Sequence, residues 1–550
     1  MKKTALLLLM LSLLLGSVPR QAKAEERQSV FTPLNASVNR YTNHYLGYRI
    51  DIPSGFERDE SVIDVRTRFW NEKTTIDVFY DDFRGTRNSF ASYRNYGNKS
   101  LHSGEHFRIS ESFDRQIGGR TAKIMYYSRQ KLGMIENDKN YYASAEIPRS
   151  SHEVYTIVMK STSPISSFDT LLSGFSFTDK KIVLPIWKKK NPSKRVLSQS
   201  AQRFMDQYFS QESGTRFGIF EPSAPDYFPP LSELERRLDY NFPVIVRYQH
   251  MDTQVPYEAL KQAKAAGKVV ELTLQTTNPL DGSEDTTTHI LNGYYQKYFD
   301  NYAKLLKMLD YPVLFRLNNE MNGDWCRYSA YHYGKDADLY VELYRYIHDI
   351  FEKNGADNVI FIWNPNEVSF PRFSWNHSMA YYPGDHYVDV VGLTGYNTGN
   401  YYSGESWRDF ESIYEPLYQE YTKRFNHPLM ITEFGSASFG GSKEEWMRDM
   451  FVKMKNYERI KLAIWWSGTD FDKEGNPARI YRINETEGTM EIAKEGLKNY
   501  KSDGNRMISA REKEERRMSY GIGRGYDRTA GDGKHEREQI RGGLPQSAAR

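Results

Sequence analysis

Between residues 38 and 178, apolar and polar side chains alternate in short runs. Examples are Thr75-Ile76-Asp77-Val78-Phe79-Tyr80, Ala122-Lys123-Ile124-Met125-Tyr126 and Val154-Tyr155-Thr156-Ile157-Val158-Met159. Successive side chains of a strand point to opposite faces, so this alternation predicts strands with one buried face. A small α+β domain with an antiparallel sheet is expected over residues 25–180. Between 201 and 500 the pattern changes to short apolar runs at 217–220, 244–248, 269–274, 313–317, 359–363, 388–393, 429–432 and 462–466. Amphipathic stretches such as 256–266, 294–309, 339–353 and 443–456 lie between them. Strand and helix alternating eight times in about 300 residues predict an α/β fold, a (β/α)8 TIM barrel, over 201–500.

The remaining segments are read by composition. Lys188-Lys189-Lys190-Asn191-Pro192-Ser193-Lys194-Arg195 combines charge with proline, which opposes buried regular structure and predicts a solvated basic linker over 181–200. An anionic cell-wall polymer is its candidate contact. Residues 501–550 are rich in Arg, Glu and Gly without a periodic apolar face, and a disordered tail is expected. Its Gly521-Ile522-Gly523-Arg524-Gly525 follows no strand and so does not read as a phosphate cradle. At the other end, Lys2 and Lys3, an apolar run over 5–18 and Ala22-Lys23-Ala24 have the order of a signal peptide over 1–24, which implies secretion. That run is shorter than the about 20 apolar residues that span a bilayer, and no later run reaches that length, so no membrane insertion is expected.

A chain of 550 residues exceeds the size at which one core keeps growing, in keeping with two domains. Cys326 is the only cysteine, so stability must come from packing without an internal disulfide. The net charge of +3 is small for this length and gives no case for nucleic-acid binding. A monomer is expected.

In a parallel barrel, catalytic groups sit where strands end and βα loops begin, because that rim gathers several strands around one cavity. The fourth predicted strand ends in Arg316-Leu317-Asn318-Asn319-Glu320-Met321-Asn322-Gly323, and the seventh in Ile431-Thr432-Glu433-Phe434-Gly435. Each places a glutamate at the rim. Two carboxylates about 5 to 5.5 Å apart suit double displacement at a sugar: one attacks the anomeric carbon while the other protonates the leaving oxygen and then activates water. A polysaccharide is the expected partner, and this chemistry requires no cofactor and no metal, which leaves room only for a structural ion on a loop.

The string from Arg316 to Trp325, with Val359 to Asn366, Gly392-Leu393-Thr394-Gly395-Tyr396-Asn397 and Ile431 to Gly435, resembles glycoside hydrolase family 26, mainly retaining endo-β-mannanases of the large barrel clan A. The likeness runs from about Phe217 to Trp466 and is most specific in Glu-Met-Asn-Gly-x-Trp. It implies that Glu320 is the acid/base and Glu433 the nucleophile. It also implies that Tyr396 holds the nucleophile, that Trp325 lines the leaving-group side, and that Trp465 or Trp466 is an indole platform under the glycone sugar. The family usually has His before the acid/base, where this chain has Asn319. The wider clan has Asn-Glu there, with the amide touching the 2-hydroxyl. This departure leaves β-1,4-mannan as first choice beside β-1,3-xylan, mixed-linkage β-glucan or an exopolysaccharide. The segments 48–53 and 172–177 resemble the ends of a Mog1/PsbP-like domain, for which a binding or spacer role is expected.

Each of these residues also has a plainer reading. A glutamate after a strand is usually a solvated loop residue, and the tryptophans, including Trp363, pack barrels as readily as they bind sugars. Arg316 would serve either the carboxylates or a buried network, and His250 and Gln249 would serve the glycone site or their loop. A lone Cys326 is most simply a small hydrophobe. With no Gly-x-Ser-x-Gly, His-Glu-x-x-His or Cys-x-x-Cys string, the commonest esterase and zinc signatures are missing. The rival from another class is a carbohydrate- or wall-binding protein without turnover.

Overall fold

The computed structural model describes residues 28–501, apart from 87, 182–184, 252 and 279–284. The expected signal peptide lies outside the described residues, as does the expected tail beyond Lys501. Eight strands close into an all-parallel barrel in sequence order: β1 (Arg216–Phe220), β2 (Val244–His250), β3 (Val269–Gln275), β4 (Val313–Leu317), β5 (Val359–Trp363), β6 (Val390–Asn397), β7 (Leu429–Ser436) and β8 (Ile460–Trp466). Closure joins β1 to β8, from Arg216 opposite Leu462 to Phe220 opposite Trp466.

Side chains alternate across each strand, and the two faces differ. Inward residues in the first half of the strands, among them Val244, Val246, Val269, Leu314, Ile360, Ile362, Met430 and Ile464, form one buried cluster with Ala201, Phe204 and Tyr208. Those three belong to the helix Gln199–Tyr208, whose first turn is capped by the Ser198 side chain accepting from Ala201 N. This helix therefore plugs the end of the barrel where strands begin. Outward residues such as Ile245, Leu272, Phe315 and Phe361 pack with Phe299, Tyr302 and Leu306 of the helix Gln296–Leu309. Burying each such side chain contributes about 1.5–3 kcal/mol. Towards the strand C-termini the inward face turns polar, with Tyr248, Glu271, Thr273 and Arg316 continuing the period set by Val246, Val269 and Leu314.

The segment expected as one domain over 25–180 does not stay together. The described residues divide into two compact units, one made of those up to Ser54 with those from Asp169 to Ile186, the other of Gly55–Phe168 with those from Trp187 on. The first unit carries a four-stranded antiparallel sheet of Ser29–Pro33, Val38–Asn43, Tyr48–Pro53 and Ser176–Phe177, where Arg49 faces Ser176 and Tyr48 faces Phe177. The second holds the barrel together with a seven-stranded antiparallel sheet in the order Glu57–Asp59, Arg66–Trp70, Thr74–Asp82, Glu153–Ser161, Tyr141–Pro148, Arg120–Ser128 and Arg108–Ile117.

The described part of the basic linker is likewise a docked strap rather than a free connector. Lys190 N donates to Arg424 O and Asn426 N to Lys190 O, both at 2.8 Å. Arg195 pairs with Asp389 at 2.8 Å, and Trp187 Nε1 donates to Asp64 at 2.9 Å. The partners of these residues, among them the Asp389 that receives Arg195, lie far away in the chain, so a local reading sees only unpaired charge.

Candidate active site

The end of β4 is shaped by backbone that ordinary residues rarely adopt. Asn318 and Glu320 have φ of +51° and +55°. The Asn318 side chain supports the turn, accepting from Thr276 N at 2.7 Å, and Glu320 N donates to Asn364 O at 2.7 Å. Left-handed non-glycine residues held by such contacts cluster at functional sites. The rest of the motif has structural reasons. Asn322 accepts from Asn366 N at 2.8 Å and donates to Asn366 O at 3.0 Å, stapling the loops after β4 and β5. A Cβ on Gly323 would collide with the Trp325 indole, so glycine lets that ring fold back until its Nε1 lies 3.4 Å from Glu320 Oε2.

Glu433 is nearly buried, 6 % exposed, on a stretch of β7 whose register against β8 shifts between Ile431 and Phe434. Such an irregularity re-aims a side chain. Its carboxylate takes three donors: Arg316 Nη1 at 2.6 Å on Oε1, and Tyr248 and Tyr396 hydroxyls at 2.8 and 2.7 Å on Oε2. Burial and the adjacent Glu433 charge push both phenols well above their ordinary range, so they keep their protons and donate. Three donors, one of them cationic, suit this carboxylate as an anion.

Arg316 is fully buried and divides its guanidinium among the strands. Nε faces Thr273 Oγ1 and Glu271 Oε1, both at 2.8 Å, and Nη1 also reaches Asn364 Oδ1 at 3.2 Å. Glu271, which the sequence reading passed over, is buried on β3. Burial raises it to about 7, with the Arg316 charge opposing and the Glu433 charge adding. Glu320 is pushed up to about 8, first by desolvation and then by the Glu433 charge, again with Arg316 opposing. The two rim carboxyls are thus distinguished: Glu320 is favoured as the acid, and Glu433 is surrounded by donors. Such a pair can supply a proton and a nucleophile to one substrate.

The other predicted residues separate. Tyr396 joins Glu433. Trp466 stacks on Phe220 at 5.1 Å and stands edge-on to Tyr396 at 6.4 Å, which puts it on the carboxylate side. Trp465 and Trp363 are buried in the outer layer, with their Nε1 atoms on Tyr481 O at 2.8 Å and Tyr381 O at 3.3 Å, so the structure gives them a packing place rather than a cleft surface. Asn319 is buried, and its Oδ1 accepts from Gln275 Nε2 at 3.0 Å. His250, half-buried at the end of β2, has Nδ1 3.1 Å from Thr277 Oγ1. Gln249 accepts from Tyr302 and donates to Thr253 O and Gln254 O, holding its loop. Cys326 is buried, and burial pushes its thiol well up, so it is no thiolate nucleophile. Tyr248 was the missed partner. Period two from Val244 and Val246 points to it, where reading the strand as ending earlier points to Gln249 and His250.

The loop after Glu320 is held from the seven-stranded sheet and from the helix Phe90–Gly97 with its C-cap Asn98. Tyr142 OH and Lys160 Nζ donate to Asp336 at 2.8 Å, and Arg68 pairs with Asp338 at 2.8 Å. Lys335 donates to Asn98 at 2.7 Å and pairs with Glu146, and Tyr96 donates to Asp324 beside Trp325.

A parallel barrel with two unlike carboxyls and a buried arginine at the strand C-termini has the ground plan of a barrel glycoside hydrolase. Residues 250–464 match the family model of Glycosyl hydrolase family 26. Endoglucanase H of Acetivibrio thermocellus is 30% identical over 212 residues, 37% of this chain and 23% of that protein. Mannan endo-1,4-beta-mannosidase of Bacillus subtilis strain 168 is 28% identical over 226 residues, 36% of this chain and 57% of its own length. Among solved structures, the catalytic domain of the Bacillus sp. JAMB-750 GH26 endo-beta-1,4-mannanase is 17% identical, with 57% of this chain and 94% of that one covered and a TM-score of 0.42. The chain therefore spans less than two thirds of the curated relatives it matches here.

Proposed function

We propose that this protein is an exported endo-acting retaining β-glycanase that cleaves β-1,4-mannan, with Glu320 as acid/base and Glu433 as nucleophile. The observation that carries the reading is the contrast between the two carboxyls: Glu433 accepts from Arg316, Tyr248 and Tyr396, while burial holds Glu320 towards its neutral form. Glu433 attacks the anomeric carbon as Glu320 protonates the departing oxygen. Glu320, now a carboxylate, then takes a proton from water as the water opens the glycosyl ester. Export rests on the basic, apolar and small-residue order of residues 1–24.

Mannan comes first because the family match is joined by a mannanase among the named relatives. Endoglucanase H and the Asn319 departure favour a β-glucan as second reading. Incubation with β-mannan, mixed-linkage β-glucan, β-1,3-xylan and bacterial exopolysaccharide, followed by reducing-end assay, tests the choice. The proposal expects release from mannan and none from Glu433→Ala. Release from another polymer alone would replace the substrate, and equal release by wild type and variant would remove the mechanism.

A further inference from the structure

On the far side of the barrel from the carboxyls, three side chains of metal-binding type meet. His348 and Glu352 lie one turn apart on the helix Asp338–Lys353, and His386 lies on the short 3-10 turn Asp385–Tyr387. One ligand atom from each, two ring nitrogens and a carboxylate oxygen, all lie within 4.8 Å of one another. His386 Nε2 is 3.3 Å from Glu352 Oε2. Metal–nitrogen and metal–oxygen bonds of zinc-type ions are about 2.0–2.2 Å, so two ligands of one ion stand at most about 4.4 Å apart. The observed spread therefore needs only a small rotation of Glu352 and His386, both on the surface.

A second observation concerns His348 alone. Its side chain is fully buried, and Nε2 has no hydrogen-bond partner. Nδ1 faces Asp349 Oδ1 at 3.3 Å, a contact that suits the tautomer with its proton on Nδ1. That leaves a lone pair on Nε2, buried and unused, a state that costs free energy unless a ligand takes it. A histidine whose other nitrogen donates to a carboxylate is the usual oriented metal ligand. Two imidazoles and a carboxylate suit Zn2+, Ni2+ or Co2+ better than the oxygen-seeking Ca2+ or Mg2+.

We propose that His348, Glu352 and His386 bind one divalent transition ion of the zinc class. The ion ties the end of the helix Asp338–Lys353 to the chain just before β6, which starts at Val390. Both attachments lie at the strand N-termini, the face of a barrel that carries stability rather than chemistry. Binding raises the unfolding temperature and leaves turnover unchanged, so this site stands independently of the proposed function.

The test uses the full chain, freed of any polyhistidine tag and stripped with chelator. Zinc chloride is titrated by calorimetry and in thermal unfolding, and cobalt chloride by visible absorption. One equivalent is expected to bind, raising the unfolding temperature and giving d–d bands of nitrogen-ligated cobalt. His386→Ala and Glu352→Ala, both surface changes that leave the fold intact, weaken binding at least tenfold, while the same change at His102, an exposed histidine of the short helix Lys99–Ser103, does not. Absence of binding, or equal affinity in wild type and His386→Ala, would overturn the site.

Discussion

Arg316 Nη1 donates to Glu433 Oε1 at 2.6 Å, from a guanidinium that also faces Glu271 Oε1 at 2.8 Å. One buried cation thus stands between a rim carboxylate and an interior carboxyl. Removing it leaves Glu433 with its two tyrosines and an uncompensated neighbour. Arg316→Met is expected to cost about 3–5 kcal/mol of stability, the usual consequence of breaking a buried pair. Urea unfolding at neutral pH measures this, and a loss under 1 kcal/mol would mean that the guanidinium is dispensable.

Tyr248 and Tyr396 both donate to Glu433 Oε2. Hydrogen bonds to charged groups contribute about 1.5–3 kcal/mol, so Tyr248→Phe and Tyr396→Phe are each expected to lower kcat roughly 10- to 100-fold. The two share one oxygen, so their effects should not add. Steady-state kinetics of the single and double variants read this out, and strict additivity would mean that each hydroxyl acts elsewhere.

The raised Glu320 predicts where activity ends. Its acid form is required for protonating the leaving oxygen, so the basic limb of kcat/KM should lie well above the ordinary carboxylate range. Glu433→Gln removes the neighbouring charge that helps raise it. The same substitution takes away the nucleophile, so the shift is best followed by NMR titration of a carboxyl-labelled protein. Glu320 is expected to titrate lower in the variant, and an unchanged midpoint would leave burial as the sole cause.

The same shift bears on stability. Glu320 and Glu271 both have folded-state values above their unfolded ones, so the stability linked to their protonation is complete below about 4.5 and is lost as pH rises towards 7 to 8. The slope is about 1.4 kcal/mol per pH unit for each group inside that window. Glu320→Gln should therefore match wild type at pH 4 and exceed it at pH 8 in denaturant unfolding. A variant less stable than wild type at pH 8 would contradict the sign.

Much of this was legible in the chain. The runs at 313–317 and 359–363 coincide with β4 and β5, because every residue there is buried and, Arg316 apart, apolar. The ends of β6 and β7 were read short, at 393 and 432 instead of Asn397 and Ser436. There the inward positions carry polar site groups, and the apolar run stops before the strand does. Glu271 was passed over for a related reason: a lone acid inside Val269-Val270-Glu271-Leu272 reads as an interruption until Arg316, 45 residues on, is placed beside it. Long-range pairing also hid the docking of Lys190 and Arg195 and the division that leaves residues 55–168 with the barrel. The choice between Trp465 and Trp466 turns on strand parity, which a pair of adjacent indoles does not reveal.

Sheet strands that hold the loop after Glu320 add a prediction that sequence alone would not have made. Lys160 is 4 % exposed and meets Asp336 and Asp338. Lys160→Met takes the ammonium from Asp336, which keeps only the Tyr142 hydroxyl among these contacts, and leaves Asp338 to Arg68; it is expected to lower stability by about 3–5 kcal/mol, with Lys160→Arg retaining part of it. Thermal unfolding of both variants checks this, and equal midpoints for wild type and Lys160→Met would show the contact to be unneeded.

The central claim is that Glu433 forms a bond to the sugar. Reaction with an activated 2-deoxy-2-fluoro-mannoside, which slows the second step, followed by proteolysis and mass spectrometry of the labelled peptide, addresses it directly. The account predicts one sugar on Glu433, within the peptide around Ile431-Thr432-Glu433-Phe434-Gly435. A label on any other residue, or turnover with inverted anomeric configuration and no label, would contradict it.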